Sequence, residues 1–197
     1  MRTLWPVVLL ALLLTGCTPS TMDRQSTSGG SCLPPLPSPS SPAPDSGSSG
    51  PVSGAAGAVV GRVPDLTLEC FQGGGTVRLT ELHRPVILNL WASWCEPCRR
   101  ELPAFQHYVE QVGDRVLVLG VDTGDSRDAG AGLLQDTKVS FPTVFDDQRH
   151  LLSALGRSAL PVTVFVDGDG GIRYLYNETA LDEAAIAQLA RTHLGIA

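Results

Sequence analysis

The segment Cys95-Glu96-Pro97-Cys98 constrains this chain most, because of what stands on either side of it. Pro85-Val86-Ile87-Leu88-Asn89-Leu90-Trp91 precedes it as a short continuous apolar run, the pattern of a strand buried on both faces. Leu102, Phe105, Val109 and Val112 follow at helical spacing, so Glu96 to Val112 reads as an amphipathic helix, kinked at Pro103. Two thiols three residues apart at a helix start share one face. Unsatisfied N–H groups and the positive dipole end stabilise a thiolate on the first of them. Pro97 fits there because the first helical turn has no use for its missing N–H. The spacing suits a redox-active dithiol, with Cys95 as attacking sulfur and Cys98, deeper in the helix, as resolving thiol. A zinc site would need a second C-x-x-C or a paired histidine motif, and His83, His107, His150 and His193 lack ligand spacing. Covalent haem would need His after the second cysteine, where Arg99 stands. No metal or cofactor is expected.

The rest of the chain predicts an α/β fold. Asp65 to Phe71 and Thr76 to Leu79, separated by Gly73-Gly74-Gly75, read as an N-terminal β-hairpin. Val116 to Val121 reads as a second buried strand and Ala129 to Thr137 as a short helix leading to Val139 and Phe141. Gln148 to Leu155 reads as a helix, Val162 to Asp167 and Ile172 to Tyr176 as a hairpin, and Leu181 to Leu194 as a closing helix. A mixed central sheet flanked by helices accommodates all these pieces.

The first sixty residues differ in character. Arg2 followed by the apolar run Leu4 to Leu14 has export-signal chemistry, and the run is shorter than the ~20 residues that span a bilayer. Leu14-Thr15-Gly16-Cys17 resembles a bacterial lipobox, which implies cleavage before Cys17, its lipidation and attachment to the outer face of the cell membrane. Residues 18–60, rich in Ser, Pro and Gly, read as a disordered tether, leaving 61–197 as one folded domain. Assigning Cys17 to lipid and Cys95 with Cys98 to redox chemistry leaves Cys32 and Cys70, an even pair expected to form a structural bridge in an exported protein. A formal charge of −6, with no cluster of Lys and Arg, argues against nucleic acid as a partner.

The run from Asn89 to Pro103, with Trp91, Trp94, Cys95, Glu96, Pro97, Cys98 and Glu101 in place, resembles the TlpA/ResA-like branch of the thioredoxin superfamily over roughly residues 62 to 195. The resemblance implies a thioredoxin-like fold and a thiol-disulfide oxidoreductase. Leu160-Pro161 is similar to the family's cis-proline loop, so Leu160, Pro161, Trp94 and Pro97 are expected to line a substrate groove. Asn89 stands where other thioredoxins keep a buried aspartate, and Glu101 is the acid the resemblance offers in its place to tune the thiols. Glu96, between the cysteines, should oppose thiolate formation by like-charge repulsion, which favours a reductant. The resemblance further implies protein disulfides as substrates, with apocytochrome c among them, and a membrane thiol transporter as electron donor; the chain is expected to be a monomer. An oxidase of secreted proteins would use the same residues in reverse. A peroxiredoxin-type peroxidase would need Pro at Leu88 and Thr at Ala92, and a non-catalytic peptide-binding module would not need its two cysteines.

Overall fold

The computed structural model describes residues 32–34 and 60–197. The signal run and Cys17, and nearly all of the expected tether, lie outside the described residues. Among the described residues no helix is long and apolar enough to cross a membrane.

Among the described residues, eight strands form one mixed sheet. In chain order they are β1 (Gly61–Arg62), β2 (Thr67–Cys70), β3 (Thr76–Arg78), β4 (Val86–Trp91), β5 (Leu117–Thr123), β6 (Thr143–Asp146), β7 (Val162–Val166) and β8 (Gly171–Tyr176). Their order across the sheet is β1-β8-β7-β4-β5-β6-β2-β3. The central β4, β5 and β6 run parallel, and every other pairing is antiparallel. Helices among the described residues cover the sheet: α1 (Glu96–Val112), α2 (Arg127–Thr137), α3 (His150–Ala154) and α4 (Glu183–Leu194). This is the thioredoxin-like arrangement expected from the sequence.

Strand alternation divides the core in two. Ile87 and Trp91 of β4 pack with Leu102 and Phe105 of α1, Leu133 of α2 and Ile186 of α4. Val86, Leu88 and Leu90 face the other way, onto Leu119 of β5, Val164 of β7 and Leu151 of α3. Every residue of β4 and β5 is buried, as a strand covered on both faces requires.

Several boundaries differ from the sequence reading, each for a local reason. Strand β1 was not anticipated: two exposed residues carry no hydrophobic period, and they pair with β8 from the sheet edge. Strand β6 was missed because Pro142 and the short span Thr143–Asp146 obscure it, although it aligns parallel to β5 from Gly120↔Thr143 onward. Helix α2 begins at Arg127, two residues before the expected start, because the Ser126 hydroxyl accepts the Ala129 N–H. Helix α3 is only five residues long, since the Asp146 carboxylate accepts the N–H groups of His150 at 2.8 Å and Leu151 at 2.9 Å and so fixes its start. Helix α4 starts at Glu183, not Leu181, with the Asp182 carboxylate accepting the Ala185 N–H at 2.8 Å. Helix α1 runs unbroken through Pro103.

Cys32 and Cys70 are bridged, with Cα atoms 5.7 Å apart. The bridge fastens Cys32 to the end of β2, and the Arg127 guanidinium holds the same corner through the carbonyls of Cys70 at 3.1 Å and Phe71 at 2.9 Å. In the chain-entropy view, a cross-link spanning 38 residues stabilises the fold by ~3 to 4 kcal/mol. A Cys32→Ser/Cys70→Ala double variant is therefore expected to keep the fold and lose stability of that order. Urea unfolding of the double variant beside the wild type measures the loss.

Candidate active site

The parallel strands β4 and β5 end at the same edge of the sheet, and α1 begins there. Trp91 closes β4, and a tight turn closed by the Cys95 N–H on the Ala92 carbonyl at 3.1 Å leads straight into the helix. Cys95 is the N-cap of α1 and Pro97 lies in its first turn. The cap is made by sulfur: Cys95 Sγ accepts the Cys98 N–H at 3.3 Å. A backbone N–H directed at this sulfur is the local interaction that stabilises negative charge on it once the disulfide opens. Cys95 and Cys98 are joined in a disulfide with an S–S distance of 2.02 Å. Cys95 is 5% exposed and Cys98 is fully buried, so an incoming disulfide meets Cys95 first.

Glu101 lies one helical turn beyond Cys98, and it is buried. Its Oε1 accepts a hydrogen bond from Asn89 Nδ2 at 2.7 Å, and its Oε2 accepts the Leu181 N–H at 3.2 Å. Asn89 and Glu101, expected separately as tuning residues, thus meet in one contact between β4 and α1. Burial raises the Glu101 carboxyl from 4.5 to about 7, against the opposing pull of the bonds from Asn89 and Leu181. Among the described residues, Asn89 Oδ1 has no hydrogen-bond partner. Turning that amide over lets a protonated Glu101 donate to it. The Leu181 backbone was not foreseen, because nothing in the sequence places the loop before α4 against α1.

Glu96 is exposed, with its carboxylate 3.2 Å from the Arg100 guanidinium and 3.9 Å from that of Arg99. The expected repulsion of a Cys95 thiolate is thereby countered by two cations on the same helical turn. Trp94 is the exposed aromatic of the site, at 57% exposure. Its Nε1 donates to the Gly124 carbonyl at 3.0 Å, and the Arg149 guanidinium lies 5.5 Å from its ring. Arg149 and Gly124 escaped the sequence reading, since an isolated Arg and a loop Gly carry no periodic signal. The Leu160–Pro161 peptide bond is cis. Leu160 is half-buried, and the Asn177 side chain fixes the loop by donating to the Ala159 carbonyl at 3.1 Å and the Pro161 carbonyl at 2.7 Å. Among the described residues, no group of three or more His, Cys, Asp or Glu side chains is placed to hold a metal ion.

The raised carboxyl gives a signed prediction. Between about pH 4.5 and 7 the unfolded chain releases the Glu101 proton while the folded chain keeps it, so stability declines as pH rises through that window. Glu101→Gln presents a neutral amide to the same neighbours at every pH. The variant is expected to exceed the wild type by ~2 to 3 kcal/mol at pH 8, and the difference should vanish near pH 4.5, as read from urea unfolding across that range.

Comparison with known proteins agrees with this geometry. The thiol-disulfide oxidoreductase ResA of Bacillus subtilis (strain 168) is 32% identical over 114 residues, covering 55% of this chain and 62% of that protein. Its namesake from Geobacillus thermodenitrificans (strain NG80-2) is 32% identical over 122 residues, covering 61% of this chain and 70% of that protein. A secreted Mycobacterium tuberculosis disulfide oxidoreductase, described as homologous to Escherichia coli DsbE, superposes with a TM-score of 0.58 over 66% of this chain and 96% of its own. At 19% identity that likeness speaks for the fold alone. A family model described as the AhpC/TSA family matches residues 59–175, more than half of the sequence, and the chain belongs to that family, alongside the ResA-type thiol-disulfide oxidoreductases.

Proposed function

We propose that the protein is an extracytoplasmic protein-disulfide reductase that works through Cys95 and Cys98. One observation carries this reading above the others: the less buried sulfur caps the N-terminus of α1, while the fully buried one lies a helical turn from a protonatable carboxyl. In the cycle, the Cys95 thiolate attacks one sulfur of a substrate disulfide. The other substrate sulfur leaves as a thiolate and takes up a proton. Cys98 then gives up its proton, with Glu101 as the acceptor in this reading, and attacks the Cys95 sulfur. The second substrate thiol is released as the Cys95–Cys98 disulfide forms. Two electrons and two protons pass from the dithiol to the substrate, and a donor dithiol must restore them. Trp94, Pro97, Leu160 and Pro161 supply the surface for the substrate chain. Asn89 orients Glu101.

The Cys32–Cys70 bridge supports an oxidising compartment, and the Leu14-Thr15-Gly16-Cys17 sequence supports attachment to the outer membrane face through a lipid on Cys17. A membrane thiol transporter as donor and apocytochrome c as a client are part of the same reading, resting on the resemblance of the Asn89 to Pro103 segment.

Insulin reduction in the presence of dithiothreitol tests the activity. The wild type should accelerate it and Cys95→Ala should return it to the uncatalysed rate, whereas equal rates would leave only a peptide-binding module. Equilibration against glutathione tests direction: a reductase requires a dithiol potential below about −200 mV, and a value near −120 mV would make the protein an oxidase.

A further inference from the structure

Asp122 has no part in the chemistry described so far, yet it occupies a costly position. It lies near the end of β5, fully buried, with Trp91 of β4 and Phe145 of β6 as its partners in the two flanking strands. Phe71 closes on the same space, 6.5 Å from Trp91 and 6.0 Å from Phe145 between ring centroids. Among the described residues, neither carboxyl oxygen of Asp122 receives a hydrogen bond from an N–H, hydroxyl or cationic donor. Helix α2 makes room for it: a methyl group at Gly130 would crowd Asp122 Oδ2 and the Phe71 ring.

The polar neighbour of Asp122 is another carboxyl, that of Asp125, within hydrogen-bonding reach. Two carboxylates cannot hydrogen-bond to one another, so the contact needs a proton between them. Asp125 is already an acceptor on both oxygens: Oδ1 takes the Ser126 N–H at 2.7 Å and Oδ2 takes the Ser93 N–H. Its need is for negative charge, which leaves the proton to Asp122. Ser93 lies inside the turn that joins β4 to Cys95, and the neighbouring Trp94 indole is pinned to Gly124 of the same loop.

We propose that Asp122 is a positioning residue for the attacking sulfur: its protonated carboxyl donates to Asp125, and Asp125 in turn holds the Ser93 N–H of the turn that delivers Cys95. The proton is retained in the neutral range. Burial, then the charge of Asp125 and the hydrogen bond to it, carry the Asp122 carboxyl from 3.8 to about 8, with Arg127 pulling the other way. Arg127, at the start of α2, is shared among Glu69 and the carbonyls of Cys70 and Phe71. The groups packed against Asp122 from β4, β6 and the end of β2 are the aromatic Trp91, Phe145 and Phe71. Ionisation of Asp122 would place a second anion beside Asp125, loosen the turn and oppose a thiolate on Cys95.

The inference rests on Cys95 as the attacking sulfur, and the test separates the two ideas. In Asp122→Asn the amide donates to Asp125 at every pH and never ionises. Reduced wild type and variant are alkylated with iodoacetamide, and the label is mapped by mass spectrometry. The ratio of variant to wild-type rate at Cys95 should grow about threefold between pH 6.5 and 9, as the wild type acquires the second charge. A constant ratio overturns the proposal. Label on Cys98 in both proteins overturns the assignment of Cys95, and with it the link to the attacking sulfur. In oxidised wild type, which needs no substitution, the Ser93 amide resonance should move together with the Asp122 carboxyl carbon, with a midpoint near pH 8. An Asp122 carboxyl that titrates below pH 5, or a Ser93 amide that does not respond, overturns it as well.

Discussion

The hydrogen bond between Asn89 and Glu101 ties the helix that carries the cysteines to the strand beneath them. It crosses the interface between β4 and α1 at 2.7 Å, inside a core otherwise built from Trp91, Leu102, Phe105 and Ile186. A carboxyl placed there without partners would be costly. The Asn89 amide and the Leu181 N–H, arriving from the loop before α4, make the site tolerable and fix the rotation of α1 about its axis. Rotation of α1 in turn decides which cysteine faces outward. Cys98 lies on the face toward the core and Cys95, at the cap, on the rim.

The sheet explains why the site stands where it does. Parallel strands β4, β5 and β6 end together, so the chain segments leaving them share one edge. From β4 comes the turn to Cys95, and from β5 the loop Gly124-Asp125. From β6 comes Asp146, which holds the start of α3 just beyond Arg149. Arg149 lies over Trp94, and Trp94 donates to Gly124, so the three segments brace one another. Antiparallel β7 brings the cis Leu160–Pro161 loop to the same edge, because its start pairs with Leu90 near the end of β4. Ligands of open α/β sheets gather at such strand ends, and the cysteine pair stands at that edge here.

How much of this could be read beforehand depends on whether a feature is local in sequence. The apolar run to Trp91, the C-x-x-C and the period of α1 lie within twenty-eight residues, and the core of the site was legible from them. Glu101 was legible as a candidate by its spacing from Cys98, but its burial was not, because Leu181 lies 80 residues away and only the packed fold brings it near. Glu96 misled through the same locality: its repulsion of Cys95 was visible, whereas the orientation of its carboxylate toward Arg99 and Arg100 depends on helical rotamers. Strand β1 escaped because an exposed edge strand of two residues has no pattern to show. Asp122 did leave a trace, as a carboxylate directly following the apolar run Val116 to Val121, a position that register with Trp91 and Phe145 turns into the interior.

Among the described residues, the carboxyls of Glu101 and Asp122 are both pushed up by burial, to about 7 and about 8. Their partners differ in a way that divides the labour. Glu101 faces an amide and a backbone N–H, donors that stabilise the ionised form and offset part of the effect of burial. Asp122 faces a carboxylate and aromatic rings, which oppose ionisation, so its proton is locked into a structural bond. Thiol-disulfide exchange moves a proton at each sulfur, and a catalyst gains when one acid near the pair exchanges its proton while the other keeps the backbone still. That division follows from the donors around each carboxyl, and it needs no difference in depth of burial.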